Sequence, residues 1–148
     1  MDTGTVPQHQ DAARVWATMR DFVERNSPKH RLRQALGDGL AKGRGKVMVL
    51  LMLGEGPHSL SDIAEAQRID PPYATAIVDQ LESLGLAART ADPDDRRRKV
   101  VTLTAQGRTA VATAREIIAE PPAALVELTP AELAQLGAVL DRLARTGH

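Results

Sequence analysis

The stretch SLSDIAEAQRIDPPYATAIVDQLESLGL, residues 59–86, carries two helix starts, one helix stop and a gap short enough to be a single turn. Ser59 precedes an apolar-periodic run and Asp62 follows three residues later. At that spacing a hydroxyl and a carboxylate satisfy each other's backbone N–H groups. Leu60, Ile63 and Ala64 share the inward face. After QRI, residues 67–69, Asp70 stands before Pro71, a carboxylate cap followed by a residue whose fixed φ suits the first helical position. The spacing of Ile77, Val78, Leu81 and Leu84 predicts a buried face on a helix from Pro71 to Leu84, and Gly85 sits where helices end. Two short helices joined by a tight turn make a helix-turn-helix pattern.

Downstream, LAART and RKVVTL read as two strands of a hairpin joined by residues 91–97. Seven of the eight residues from Asp92 to Lys99 are charged, acids first and bases after. A charge run of this kind is usually a solvated tip; beside a helix-turn-helix it is also a candidate finger for a polyanion. Thr104 caps a helix predicted to run to about Ala119, where Pro121-Pro122 breaks it. Thr129-Pro130-Ala131-Glu132 starts another, on which Leu133, Leu136, Leu140 and Leu143 alternate at spacings of three and four.

Upstream, residues 1–8 are polar and expected to fray. Val15, Met19, Phe22 and Val23 predict a helix over 11–25, ended by Asn26-Ser27-Pro28. Ser27 then reads as the cap of a short helix through Leu36, with Pro28 at its first position. Four glycines between 37 and 45 make the next segment loose. KVMVLLML, residues 46–53, is an apolar run that reads as a core helix closing in the GEGP turn.

The composition narrows the function. The chain has 148 residues, 43% hydrophobic but only 2% aromatic, so aliphatic side chains must build the core. Nineteen basic residues balance nineteen acidic ones, which argues against a uniformly basic coat but not against a basic edge. The absence of cysteine removes thiol nucleophiles, disulfides and thiolate metal sites. The four histidines show no ligand spacing, so no metal is expected. The paired acids of the hairpin lie where nothing would tune them for proton transfer, and no phosphate-cradling glycine loop or nucleophile elbow occurs. No enzyme and no cofactor are expected. With no membrane-length apolar run and no signal-peptide pattern, a soluble cytoplasmic protein is the expectation.

Residues 56–107 resemble the winged helix-turn-helix core of the MarR family of bacterial transcription regulators. The matching pieces are GPHSLSDIAEA, IDPPYATAIVDQLESLGL, DPDDRR and LTAQG, in that order. The family's hairpin reads roughly D-P-x-D-R-R, then strand, then L-T-x-x-G. Asp92, Pro93, Asp95, Arg96, Arg97, Leu103, Thr104 and Gly107 fall on it. The resemblance implies a mainly α fold: a winged helix-turn-helix core with a two-stranded β wing, flanked by N- and C-terminal dimerisation helices. The division expected is 1–45 for N-terminal helices and linker, 46–104 for the core, and 105–148 for C-terminal helices.

The expected function is that of a sequence-specific DNA-binding regulator, a homodimeric repressor on a pseudo-palindromic operator. A recognition helix reads base edges from its N-terminal exposed positions, here Pro72, Tyr73, Thr75 and Ala76, with Asp79 and Gln80 a turn on. A basic hairpin can place a guanidinium in the minor groove. The resemblance makes Arg97 that reader, with Asp95 and Arg96 bracing the hairpin through ion pairs and Arg98 and Lys99 on phosphates. The basic segments at residues 29–33 and 42–46 add candidate phosphate contacts, Arg44 and Lys46 among them, with Ser59 and Ser61 from the first helix.

Dimerisation is expected through Val15, Met19 and Phe22 near the N-terminus and Leu133, Leu136, Leu140 and Leu143 near the C-terminus. The family also implies a small aromatic or phenolic effector, for which Trp16, Met19, Phe22, Met48 and Met52 are apolar candidates. This chain departs from the family, whose members often carry threonine where Tyr73 stands and arginine where Ala76 stands. Its recognition helix therefore holds no Lys or Arg. That neutrality keeps an alternative open: a protein-interaction module built on a winged helix that no longer reads DNA.

Overall fold

A computed structural model describes residues 5–43 and 45–146 of the chain. It divides into two units, Met1–Ile118 and Ala119–His148.

The first unit opens with α1 (Thr5–Arg25), which begins upstream of the periodic segment and includes residues expected to fray. Pro7 lies in its first turn, where a missing N–H costs no helical bond. α2 (Lys29–Leu36) follows. Pro28, rather than Ser27, is its cap residue: the Pro28 carbonyl accepts from Leu32 N–H at 2.9 Å, and no side chain caps the helix. The glycine-rich segment is not wholly irregular, since Asp38–Ala41 forms a single turn, α3, that buries Leu40. KVMVLLML is a helix as expected, α4 (Lys46–Leu53), and Val49, Leu50 and Leu53 point into the core.

α5 (Leu60–Gln67) and α6 (Pro71–Ser83) form the helix-turn-helix. Both predicted caps are made. The Ser59 hydroxyl accepts from Asp62 N–H at 3.1 Å and Asp62 Oδ2 accepts from Ser59 N–H at 3.2 Å. Asp70 Oδ1 accepts from Tyr73 N–H at 2.7 Å. Ile77, Val78 and Leu81 are buried, but Leu84, expected inward, is 41% exposed. Leu84 is already the C-cap residue, where the chain leaves the helical period, and its side chain lies over Gly39 instead.

β1 (Ala87–Ala91) and β2 (Lys99–Leu103) pair antiparallel, with Ala87 opposite Leu103 and Ala91 opposite Lys99. His58 adds a third short lane: His58 and Val101 exchange both backbone hydrogen bonds, at 3.2 and 2.7 Å. The turn before α5 is thereby sewn to the hairpin. α7 (Ala105–Ala119) follows, with the Thr104 hydroxyl accepting from Gly107 N–H at 3.1 Å. Gly107 is required by packing, because a Cβ there would stand 2.0 Å from the Leu86 carbonyl oxygen. The core of this unit is aliphatic throughout. Leu50, Ile63, Leu81, Val49, Val78 and Val101 are its largest fully buried side chains, drawn from α4, α5, α6 and β2.

The second unit holds a one-turn helix, α8 (Ala123–Val126), after the diproline break, and then α9 (Pro130–Thr146). Thr129 and Glu132 form the predicted capping box. No residue of α9 is buried; Leu133, Leu136, Val139, Leu140 and Leu143 are all exposed. No helix among the described residues is long and apolar enough to cross a membrane.

Candidate nucleic-acid interface

The inward face of α6 is taken by Ala74, Ile77, Val78 and Leu81. The helix therefore presents Pro72, Tyr73, Ala76, Asp79 and Gln80 outward, with Thr75 half-buried beside them. Tyr73 is 45% exposed, an uncommonly open position for a large ring in a chain with one tyrosine. Tyr73, Ala76 and Gln80 recur at three and four residues, so they form one stripe along the helix.

The hairpin tip is ordered by its own acids. Asp92 Oδ1 accepts from Asp94 N–H at 2.9 Å, and Asp92 N–H donates to the Arg98 carbonyl at 2.8 Å. Asp95 Oδ1 accepts from Arg97 N–H at 3.1 Å, and its carbonyl accepts from Arg98 N–H at 2.9 Å. Asp95 thus closes the turn through backbone amides, and among the described residues neither Asp95 nor Arg96 makes the ion pairs expected to brace the hairpin. Short Asp side chains favour this role because they reach N–H groups two residues on. Arg96, Arg97, Arg98 and Lys99 are all exposed as a result.

Arg89, on β1, is a site residue that sequence reasoning missed. Its guanidinium spans two acids of the recognition helix, donating to Asp79 Oδ1 at 2.8 Å and to Glu82 Oε1. Its side chain is only 25% exposed, and the Asp79 hydrogen bond holds its proton above the ordinary arginine value. A signal was present: acids at positions 79 and 82 share a helix face, and one arginine stands on the strand that follows. Reading LAART only for strand periodicity hid it.

Near the start of α5, a depression of about 190 Å³ is lined by Ser59, Leu60, Ser61, Arg89, Lys99, Val100 and Val101. Two candidate phosphate contacts of α5 and one cation of the wing are thus gathered in one place. The Ser59 hydroxyl, and then its N–H, hold the Asp62 carboxyl below its ordinary value. Ser59 is nearly buried, whereas Ser61 is exposed.

The glycine-rich segment reaches the recognition helix at Gly45. Gly45 has φ +103°, and a Cβ there would lie 2.9 Å from Ile77 Cδ1 and 3.7 Å from the Tyr73 hydroxyl oxygen. Only glycine combines that backbone with that approach. Lys46 donates to the Gly39 carbonyl, and Arg44 lies outside the described residues.

The apolar candidates for an effector site are not gathered together. An open depression of about 500 Å³ lies along α1, lined by Trp16, Met19, Arg20, Asp21, Val23 and Glu24. Met48 and Met52 do not line it. Trp16 is 59% and Met48 55% exposed, while Phe22 and Met52 are half-buried. Val15 is exposed and Met19 half-buried on the same helix. Among the described residues no group of three or more His, Cys, Asp or Glu side chains is placed to hold a metal ion.

A helix-turn-helix with an outward stripe on its second helix, flanked by a cationic hairpin, defines a winged-helix protein. Residues 45–99 match the model of the MarR family. A point mutant of Staphylococcus aureus MepR is 23% identical, with 90% of this chain and 97% of that one covered and a TM-score of 0.73. Bacillus subtilis YusO is 25% identical, with coverage of 93% and 96% and a TM-score of 0.68. Bordetella bronchiseptica BpsR, whose DNA binding is regulated by 6-hydroxynicotinic acid, is 27% identical, with coverage of 88% and 92% and a TM-score of 0.53. No curated protein matches the chain. The chain has the MarR-family winged-helix fold, and the resemblance seen in its helix-turn-helix and hairpin holds. That family is one of transcription regulators, not of enzymes.

Proposed function

We propose that the protein is a sequence-specific, DNA-binding transcriptional repressor that acts as a homodimer on a pseudo-palindromic operator. The observation that carries this reading is the pairing of an uncharged recognition stripe with four exposed cations on the adjoining hairpin. A helix without Lys or Arg fits the major groove without binding phosphate indiscriminately, and the hairpin supplies the charge attraction. Arg97 is assigned to the minor groove, with Arg98, Lys99, Lys46 and Ser61 on phosphates. Self-association through the exposed apolar residues of α1 and α9 would place two recognition helices on two half-sites.

A small aromatic or phenolic anion is the proposed effector. BpsR, with its hydroxylated heteroaromatic acid, supports that class. The α1 depression contains both an exposed indole and Arg20, but one helix cannot enclose a ligand, so a second protomer would have to complete it. Such a ligand alters DNA affinity only through unequal affinity for two conformations.

The test is selection from random duplex followed by gel-shift titration. One palindrome should bind at least 1,000-fold more tightly than random duplex, as specific sites do by about that factor or more. A recognition helix without Lys or Arg also favours a protein-interaction module. If no motif is enriched, that second reading replaces the first.

A further inference from the structure

The chemistry of the α6 stripe limits which bases it can read. Guanine is read chiefly by arginine or lysine, donating to O6 and N7 together. No such residue occurs between Asp70 and Gly85. Cytosine is read by a carboxylate that accepts from N4. Two exposed carboxylates flank the stripe and both are engaged: Asp70 Oδ1 accepts from the Tyr73 N–H at 2.7 Å, and the Arg89 guanidinium binds Asp79 and holds Glu82 as well. What remains is an aromatic ring at Tyr73, a methyl at Ala76, the Thr75 hydroxyl and the Gln80 carboxamide.

These groups fit one kind of base pair. A carboxamide can accept from adenine N6 while donating to N7, and apolar side chains pack on the thymine methyl. The stripe from Tyr73 to Gln80 rises about 10 Å along the helix, or about three base pairs at about 3.4 Å each. We infer that the recognition helix reads a short run of A·T pairs in each half-site. Gln80 selects adenine, Tyr73 and Ala76 select thymine methyls, and Arg89 is the positioning residue that withholds Asp79 from cytosine. This inference rests on the DNA-binding role proposed above.

The test uses the full chain and the palindrome that it selects from random duplex. A·T pairs are expected at the positions facing the stripe. Replacing the faced adenine by 7-deazaadenine removes the N7 acceptor and should weaken binding about tenfold. Gln80→Ala should weaken binding to the unmodified palindrome similarly and then be insensitive to the analogue. Replacing the faced thymines by deoxyuridine removes only their methyls and should weaken binding about threefold, an effect abolished in Tyr73→Ala/Ala76→Gly. Circular dichroism melting establishes that each variant is folded, and Gln80→Glu supplies a second probe of the same position. Selection of G·C pairs there, or sensitivity to 7-deazaguanine and not to 7-deazaadenine, overturns the inference while leaving a DNA-binding protein. Equal response of wild type and Gln80→Ala to 7-deazaadenine overturns the role of Gln80. Failure to enrich any sequence overturns the DNA-reading role and this inference together.

Discussion

At the scale of single residues, three positions decide more than their size suggests. Gly107 lies within van der Waals reach of the Leu86 backbone, and backbone cannot turn aside as a side chain can. Gly107→Ala should cost about 3 kcal/mol, the upper range for overpacking, read as a fall in urea midpoint with an unchanged slope. Arg89 joins strand to recognition helix. Arg89→Met leaves two carboxylates facing each other and should cost about 1.5 kcal/mol, with DNA affinity falling as well. Arg89→Lys should restore only part of both, because one ammonium cannot span two acids as a planar fork does. Asp62 supplies a pH test. Its carboxyl is held below the ordinary value of 3.8, so its capping contribution is complete above that value and fades as pH falls through the lowered one. The gap in thermal midpoint between wild type and Asp62→Asn should be widest near neutrality and close towards pH 2. Caps of this kind were legible in the sequence because they depend on residues three apart. Arg89 was not, because its partners are seven and ten residues away and only folding brings them together.

At the scale of elements, legibility followed the strength of the local signal. α4, α5, α6, α7 and α9 stand where periodicity and caps put them, and the hairpin strands agree to within a residue. The one-turn helices α3 and α8 were not foreseen, since four residues carry no period. α1 starts earlier than its apolar pattern because a helix projecting polar side chains needs no apolar stripe in its first turns. The wing is the element to perturb for function. Arg96→Ala/Arg97→Ala removes two exposed cations that make no ion pair among the described residues. It should weaken operator binding at least tenfold and leave the melting temperature within about 2 °C of wild type, as surface substitutions do. Unchanged affinity in a gel-shift titration would remove the wing from the mechanism.

At the scale of the whole molecule, a single chain leaves apolar surface uncovered on two of its helices. α1 exposes Val15, Trp16 and Val23, and α9 exposes five large aliphatic side chains. An amphipathic helix with no buried residue is unusual in a finished assembly. Leu136→Glu/Leu140→Glu should convert the proposed dimer to a monomer by sedimentation, and palindrome affinity should fall with it. Charge is likewise neutral in sum and uneven in place. If Arg98, Lys99 and Lys46 of two protomers each neutralise one phosphate, log affinity should fall against log salt with a slope of about −5. A slope near −2 would mean that the wing does not lie on phosphates.

The acids at the hairpin tip have a kinetic meaning. Asp92 and Asp95 fasten the loop to its own amides before any partner arrives. The conformational entropy of shaping that loop is therefore lost during folding and not again at encounter. Association should then proceed without a slow ordering phase, and mixing experiments should give one concentration-dependent rate. Asp92→Ala/Asp95→Ala would keep every arginine yet introduce a lag, separating the cations' attraction from the readiness of the loop that bears them.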